Sequence, residues 1–169
     1  MKTKIIQLRS CLLTSLVEKT KLVYIRLFNK KRKNWQISIN ELEKYPPQTL
    51  GKDLAIFLIK ENFDLMPGLE SHDVYHLILN YSTKVEDEAK MQFFLIGNGK
   101  KSLYAFGTSF LAFLTMPDQW LAFWKAYQQG QKAFKVHLWD FRFLLKEKTE
   151  DLRALVKGRK RNENILLTY

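Results

Sequence analysis

An all-α, single-domain helical bundle is the fold class this sequence predicts, and three observations carry it. Apolar residues recur at three- and four-residue spacing through most of the chain, the period of one helix face. Gly and Pro are scarce, at 7 and 4 of 169 residues, which leaves few positions for the tight turns an all-β fold needs. The chain is 46% hydrophobic, enough to build a core, and its length suits one domain.

The elements follow in order. Ile5, Leu8, Leu12 and Leu16 repeat at helical spacing with Lys and Arg on the other side, so 4–28 reads as a basic amphipathic helix ended by the charge cluster at 29–34. Such a helix packs on a core or lies on a membrane surface. Residues 35–39 alternate weakly, as a short extended piece would. Pro46-Pro47 forces a break, and Thr49 is placed to cap a helix running to about Asn62, with Leu50, Leu54, Phe57 and Leu58 inward. A turn over 64–68 leads to a helix over 70–81 and another over 84–96, closed by Gly97-Asn98-Gly99. Residues 101–115 form an apolar helix with Leu103, Phe106, Phe110 and Phe113 on one stripe, and Ala105, Gly107 and Ala112 leave room for a close neighbour. Pro117 opens a helix to about Gly130 carrying Trp120, Leu121, Trp124 and Tyr127. The last two helices are expected over 132–145 and Thr149–Val156, the second capped by Thr149.

Charge and cysteine content narrow the function classes. Residues 1–33 hold ten Lys/Arg against one acid, a balance of +9, and 157–169 add +3, whereas 34–156 come to −1. A nucleic-acid reader carries its charge on the folded body, so basic ends on a neutral body argue for an anionic membrane surface and against nucleic acid. One cysteine, Cys11, excludes an internal disulfide and a Cys-based zinc cage. The longest uncharged run, 102–117, has 16 residues where a bilayer span needs about 20, so a buried core helix is expected there. Arg9 interrupts the N-terminal apolar stretch, which makes a secretory signal a poor reading.

Chemistry concentrates at His72-Asp73-Val74-Tyr75-His76. On a helix, positions i and i+4 share a face, so the two imidazoles can converge on one ion. Asp73 is placed to ligate or to orient a ligand. Twelve residues past His76, Glu88 stands on the next helix, and antiparallel packing would return its carboxylate to the pair. Two nitrogens with one or two carboxylates suit Zn²⁺ and equally a non-haem iron site. A zincin is a poor match, because Asp73 is one methylene shorter than the glutamate of His-Glu-x-x-His. A histidine–aspartate phosphohydrolase needs more ligands, and only His137 remains.

His-Asp-x-x-His, eleven residues, then Glu resembles the signature of the Coenzyme Q biosynthesis protein 4 family, and His72, Asp73, His76 and Glu88 satisfy it. Pro46-Pro47-Gln48-Thr49-Leu50-Gly51 is similar to that family's Pro-x-x-Thr-Leu-Gly segment, Thr83 stands where it has a threonine, and Trp139-Asp140 and Leu152-Arg153 resemble its late elements. The likeness is specific over 46–97 and looser to 156. Departures are Asn80 where the family has Gly, Leu54 where it often has Tyr, and Glu86-Asp87 in place of Gly before Glu88. The resemblance implies a family-like helical core over 46–156 between the basic segments 1–33 and 157–169. It implies a role in ubiquinone biosynthesis, through metal-dependent decarboxylation and hydroxylation at C1 of the prenylated head group, or through a scaffold that organises other quinone-biosynthesis enzymes around a structural metal. The ligands would be His72, Asp73, His76 and Glu88, and the ion zinc, with iron as the alternative. A prenylated quinone precursor or another isoprenoid lipid would be the ligand, its tail against Phe106, Phe110, Phe113, Trp120 and Trp124, although ordinary core packing gives the same stripe. Peripheral attachment to the cytoplasmic face of a bacterial inner membrane, or to the mitochondrial inner membrane, is the implied location. A homodimer is left open.

Overall fold

The computed structural model of the chain describes residues 35–158. The basic helix expected over 4–28 and the tail beyond Gly158 lie outside the described residues. Residues 35–38, most of the short extended piece expected over 35–39, are non-helical and pair in no strand, and they lead into a four-residue helix α1 (Ile39–Leu42). Ser38 and Glu41 form a reciprocal capping box at its start. The other helices are α2 (Leu50–Glu61), α3 (Glu70–Leu79), α4 (Val85–Asn98), α5 (Leu103–Thr115), α6 (Trp120–Lys132) and α7 (Thr149–Val156), with 3₁₀ turns at Pro117–Gln119, Val136–Leu138 and Phe141–Leu144. No strand occurs among the described residues.

Thr49 caps α2 as its position suggests, accepting from the Lys52 N–H and donating to the Pro46 carbonyl. Two further N–H groups of that helix end are met from far along the chain: Leu50 donates to the Glu147 carbonyl and Gly51 to that of Leu145. Leu50, Leu54 and Leu58 are fully buried against Val74, Ile78, Met91, Leu95, Phe141 and Leu152, and Phe57 is half-buried at the edge of this core.

Residues 132–145 do not form the helix that their periodicity predicts. Helix α6 stops at Lys132 because the buried Asn98 side chain captures its C-terminal end: Nδ2 donates to the carbonyls of Gly130, at 3.0 Å, and Phe134, at 2.7 Å. Its Oδ1 accepts from the His137 N–H. The Asp140 carboxylate then accepts from the Arg142 N–H and starts a 3₁₀ turn. Val136, Phe141, Leu144 and Leu145 still enter the core from this irregular segment. Thr149 is the first residue of α7, one position inside the expected cap. Its hydroxyl donates to Asp53 Oδ2 at 2.6 Å and clasps α7 to α2.

Helices α4 and α6 form the closest pair, and glycines make their approach possible. A Cβ on Gly97 would lie 2.1 Å from the Tyr127 carbonyl oxygen, and one on Gly130 would lie 2.0 Å from that of Phe94. So Gly97 belongs to the helix crossing and not to a cap, and α4 runs on to Asn98 before Gly99 ends it at φ 107°.

Helix α5 departs furthest from expectation. It buries only Ala105, Ser109 and Ala112 and turns Leu103, Phe106, Phe110 and Phe113 outward. Trp120, Leu121 and Trp124 on α6 extend this exposed apolar face. The helix inserts its small residues because they let it pack close, and the bulky stripe is left outside. Among the described residues no helix is long and apolar enough to cross a membrane.

Candidate metal centre

Helix α3 ends where Asn80 enters the left-handed region at φ 57°. Asn tolerates that conformation almost as Gly does, which is how the chain reverses here without the glycine. Five residues later α4 begins, with the Asp87 carboxylate accepting from the Ser82 N–H and hydroxyl and pairing with Lys90. That engagement removes Asp87 as a rival ligand and leaves Glu88 facing α3.

The result is a compact trio. Glu88 Oε1 is 2.9 Å from His76 Nε2 and 3.3 Å from His72 Nε2. The two imidazole centroids are 5.0 Å apart with their planes at 83°, so both nitrogens point to one spot. His76 Nδ1 is 3.1 Å from the Tyr81 carbonyl oxygen, which can only accept. Nδ1 therefore donates to Tyr81, and Nε2 is the nitrogen turned to the trio: it donates to Glu88 while protonated and offers its lone pair to a cation once that proton leaves. Phe57 stacks on the His76 ring at 5.7 Å and completes its support.

These residues fit a divalent cation. Ligand atoms about 2.1 Å from a tetrahedral ion are about 3.4 Å apart, close to the spacings present. All three ligand atoms lie within 4.8 Å of one another. Asp73 lines the same cavity and is buried, but its carboxylate is not one of the trio; its charge acts on His76. The trio with an open coordination position suits zinc or iron, and the donor set does not separate them.

Burial pulls His76 downward in pKa, yet its hydrogen bond to Glu88 and the charges of Glu88 and Asp73 outweigh this and leave it raised. Glu88 shows the mirror image: burial raises it, but His72 and His76 hold it well below the usual carboxylate range. The raised histidine contributes stability in full below about pH 6.5, its unfolded value, and loses it as pH rises through the folded one. The depressed carboxylate contributes above about pH 4.3 and loses it as pH falls. A cation must displace the proton from His76, so metal affinity is expected to climb between about pH 6 and 8. Competition titrations at both ends of that range check this, and a flat profile would remove His76 from the ligand set.

The trio forms one wall of a cavity of about 360 Å³. Phe63, Met66, Leu69, Val85, Leu111 and Met116 are among its apolar lining, and Thr83, whose hydroxyl donates to Glu61 at 2.9 Å, also lines it. Phe106, Phe110, Phe113, Trp120 and Trp124 do not line it; they stand on the outer face of α5 and α6. Sequence reasoning missed Gln92 and the inner face of α5, which build the cavity's far side. The spacing of four between Glu88 and Gln92 was the available signal for the former.

A crystal structure of a "putative ubiquinone biosynthesis protein" from Nostoc punctiforme has the same architecture, with a TM-score of 0.58 over 90% of this chain and 82% of that one. Identity is 19%, so the likeness establishes a shared helical fold. No family model matches the chain, and no curated protein does.

Proposed function

We propose that this chain acts in ubiquinone biosynthesis as a metal-dependent enzyme on a prenylated aromatic precursor at a membrane surface, releasing the ring C1 carboxyl group as CO₂ with a proton taking its place, or, with dioxygen as oxidant, a hydroxyl. The observation that carries the reading is the His72–His76–Glu88 trio set in the wall of a largely apolar cavity. The resemblance to the Coenzyme Q biosynthesis protein 4 family and the fold shared with the Nostoc protein support it. A bound divalent cation would act as a Lewis acid on carboxylate or phenolate oxygens. The chain's own residues do the rest: His72, His76 and Glu88 hold the cation, and Tyr81 fixes the His76 tautomer. The apolar lining excludes water and receives the ring.

Membrane attachment is the second part of the reading. An exposed face of Leu103, Phe106, Phe110, Phe113, Trp120, Leu121 and Trp124 is larger than solitary surface apolars require, and Lys101, just before α5, and Lys125 on α6 are exposed beside it. Aromatic rings flanked by lysine suit the interface of an anionic leaflet, to which the +9 segment at 1–33 adds attraction.

Turnover of a farnesylated para-hydroxybenzoate by the metal-loaded chain, lost in His76→Ala, tests the chemistry. A cation whose removal unfolds the chain without any turnover would favour the scaffold reading, since binding energy at a structural site is folding energy. For the membrane, Phe110→Glu with Trp124→Glu is expected to abolish co-sedimentation with phosphatidylcholine–phosphatidylglycerol vesicles while metal content is kept. A stable dimer that dissociates in the same variant would assign the face to a second copy instead.

A further inference from the structure

Eight polar or charged residues are buried among the described ones, and six have partners. Thr49 and Thr149 donate to a carbonyl and to Asp53, Glu70 accepts from the Trp35 N–H, His76 meets Glu88, Asn98 clamps the end of α6, and Asp73 is engaged as well. Two do not. Ser109 has an orphaned hydroxyl outside the cavity lining. Gln92 has a side chain that no described group hydrogen-bonds, although it is only 4% exposed, and it lines the cavity.

Among the described residues only the Ser109 hydroxyl is both sealed from solvent and unpartnered. The Gln92 carboxamide therefore opens onto the cavity and depends for its hydrogen bonds on what enters there. Native chains pair such groups nearly always, so an exception inside a cavity calls for a partner that enters from outside. Position says what kind. Gln92 is four residues beyond Glu88 on α4, hence on the same face and about 6 Å deeper. A carboxamide both donates and accepts, so it pairs with a hydroxyl or a carbonyl and carries no charge to attract an ion.

We propose that Gln92 binds a neutral ring oxygen of the ligand, a hydroxyl or carbonyl on the side of the aromatic ring opposite the carboxylate held at the His72–His76–Glu88 trio. The inference rests on the head-group reading of the cavity. It makes the cavity a two-point reader: an anionic or metal-bound end at the trio and a hydrogen-bonding end one helical turn away. A site whose buried polar group is left unpaired by the wrong ligand discriminates well against it.

Calorimetric titration of the full, metal-loaded chain with farnesylated para-hydroxybenzoate and with the same farnesylated ring lacking the hydroxyl tests this. Wild type is expected to favour the hydroxylated ring by roughly 3- to 10-fold, the worth of one neutral hydrogen bond. In Gln92→Met, which keeps the side-chain length, and in Gln92→Leu, the ratio should collapse to about one through loss of affinity for the hydroxylated ring alone. Both variants should melt at or above the wild-type temperature, because no hydrogen bond within the described residues is lost. Unchanged discrimination in both metal-loaded variants overturns the assignment and leaves the metal site standing. A lower melting temperature in both marks a structural hydrogen bond and also overturns it. A wild type that holds its metal but binds neither ring overturns the substrate class proposed above, and this assignment with it.

Discussion

His76→Ala is expected to empty the site of metal while the chain stays helical. Wild type purified without added metal should carry about one equivalent of a divalent ion, since a two-nitrogen, one-carboxylate shell with an open position is a competent site. Loss of an outer-shell partner alone weakens metal binding by up to roughly 100-fold, so loss of a ligand should exceed that. His76 is the ligand of choice for the test because its side chain is only 2% exposed and both ring nitrogens are engaged, by Glu88 and by the Tyr81 carbonyl. Its removal also leaves the Tyr81 carbonyl unmet and a gap beside Phe57, at about 2–3 kcal/mol of metal-free stability. Glu88→Gln separates the two effects, keeping shape while removing the charge that holds His76 raised. Asp73→Asn should lose less metal than either, since its carboxylate is not one of the trio. Mass spectrometry of metal content beside helical circular dichroism decides the matter. Full metal retention in His76→Ala would sink the site.

Features written in a few adjacent residues were legible, and features that two distant segments make together were not. Thr49 and Gly99 announced their helix boundaries by local chemistry alone. The i, i+4 histidine pair needed only helical periodicity, and Glu88 needed only that α3 and α4 run back to back through Asn80. The segment over 132–145 failed because its helical pattern competes with Asn98, which lies more than thirty residues earlier and takes the carbonyls that would end α6. The stripe of α5 failed for another reason. Periodicity says that a face is apolar but not which face turns inward, and here close packing chose Ala105, Ser109 and Ala112. Gln92 was invisible until the cavity was present, because a glutamine on a helix reads as solvated until its burial is known.

The crossing of α4 and α6 gives the other large effect. Alanine in place of glycine inside an exposed helix gains about 0.5–1 kcal/mol, because glycine loses more backbone freedom on folding. Gly107 on α5 meets nothing within 4 Å of an added Cβ, so Gly107→Ala should show that gain. Gly130→Ala should do the reverse, by about 3 kcal/mol or more, at the upper end of overpacking costs. Its Cβ would lie 2.0 Å from the Phe94 carbonyl oxygen and 2.9 Å from the Asn98 nitrogen, and these are backbone atoms of a helix, unable to swing aside as a side chain does. The helices must part, which strains the Asn98 bonds to Gly130 and Phe134 and the stack of Phe93 on Phe123 at 4.7 Å. Against a total stability of about 5–15 kcal/mol, that loss lowers the urea midpoint sharply. Because α4 also carries Glu88 and Gln92, surviving folded protein should bind metal more weakly, though no ligand has been touched. Equal urea midpoints for Gly107→Ala and Gly130→Ala would show that the two helices do not cross at backbone contact.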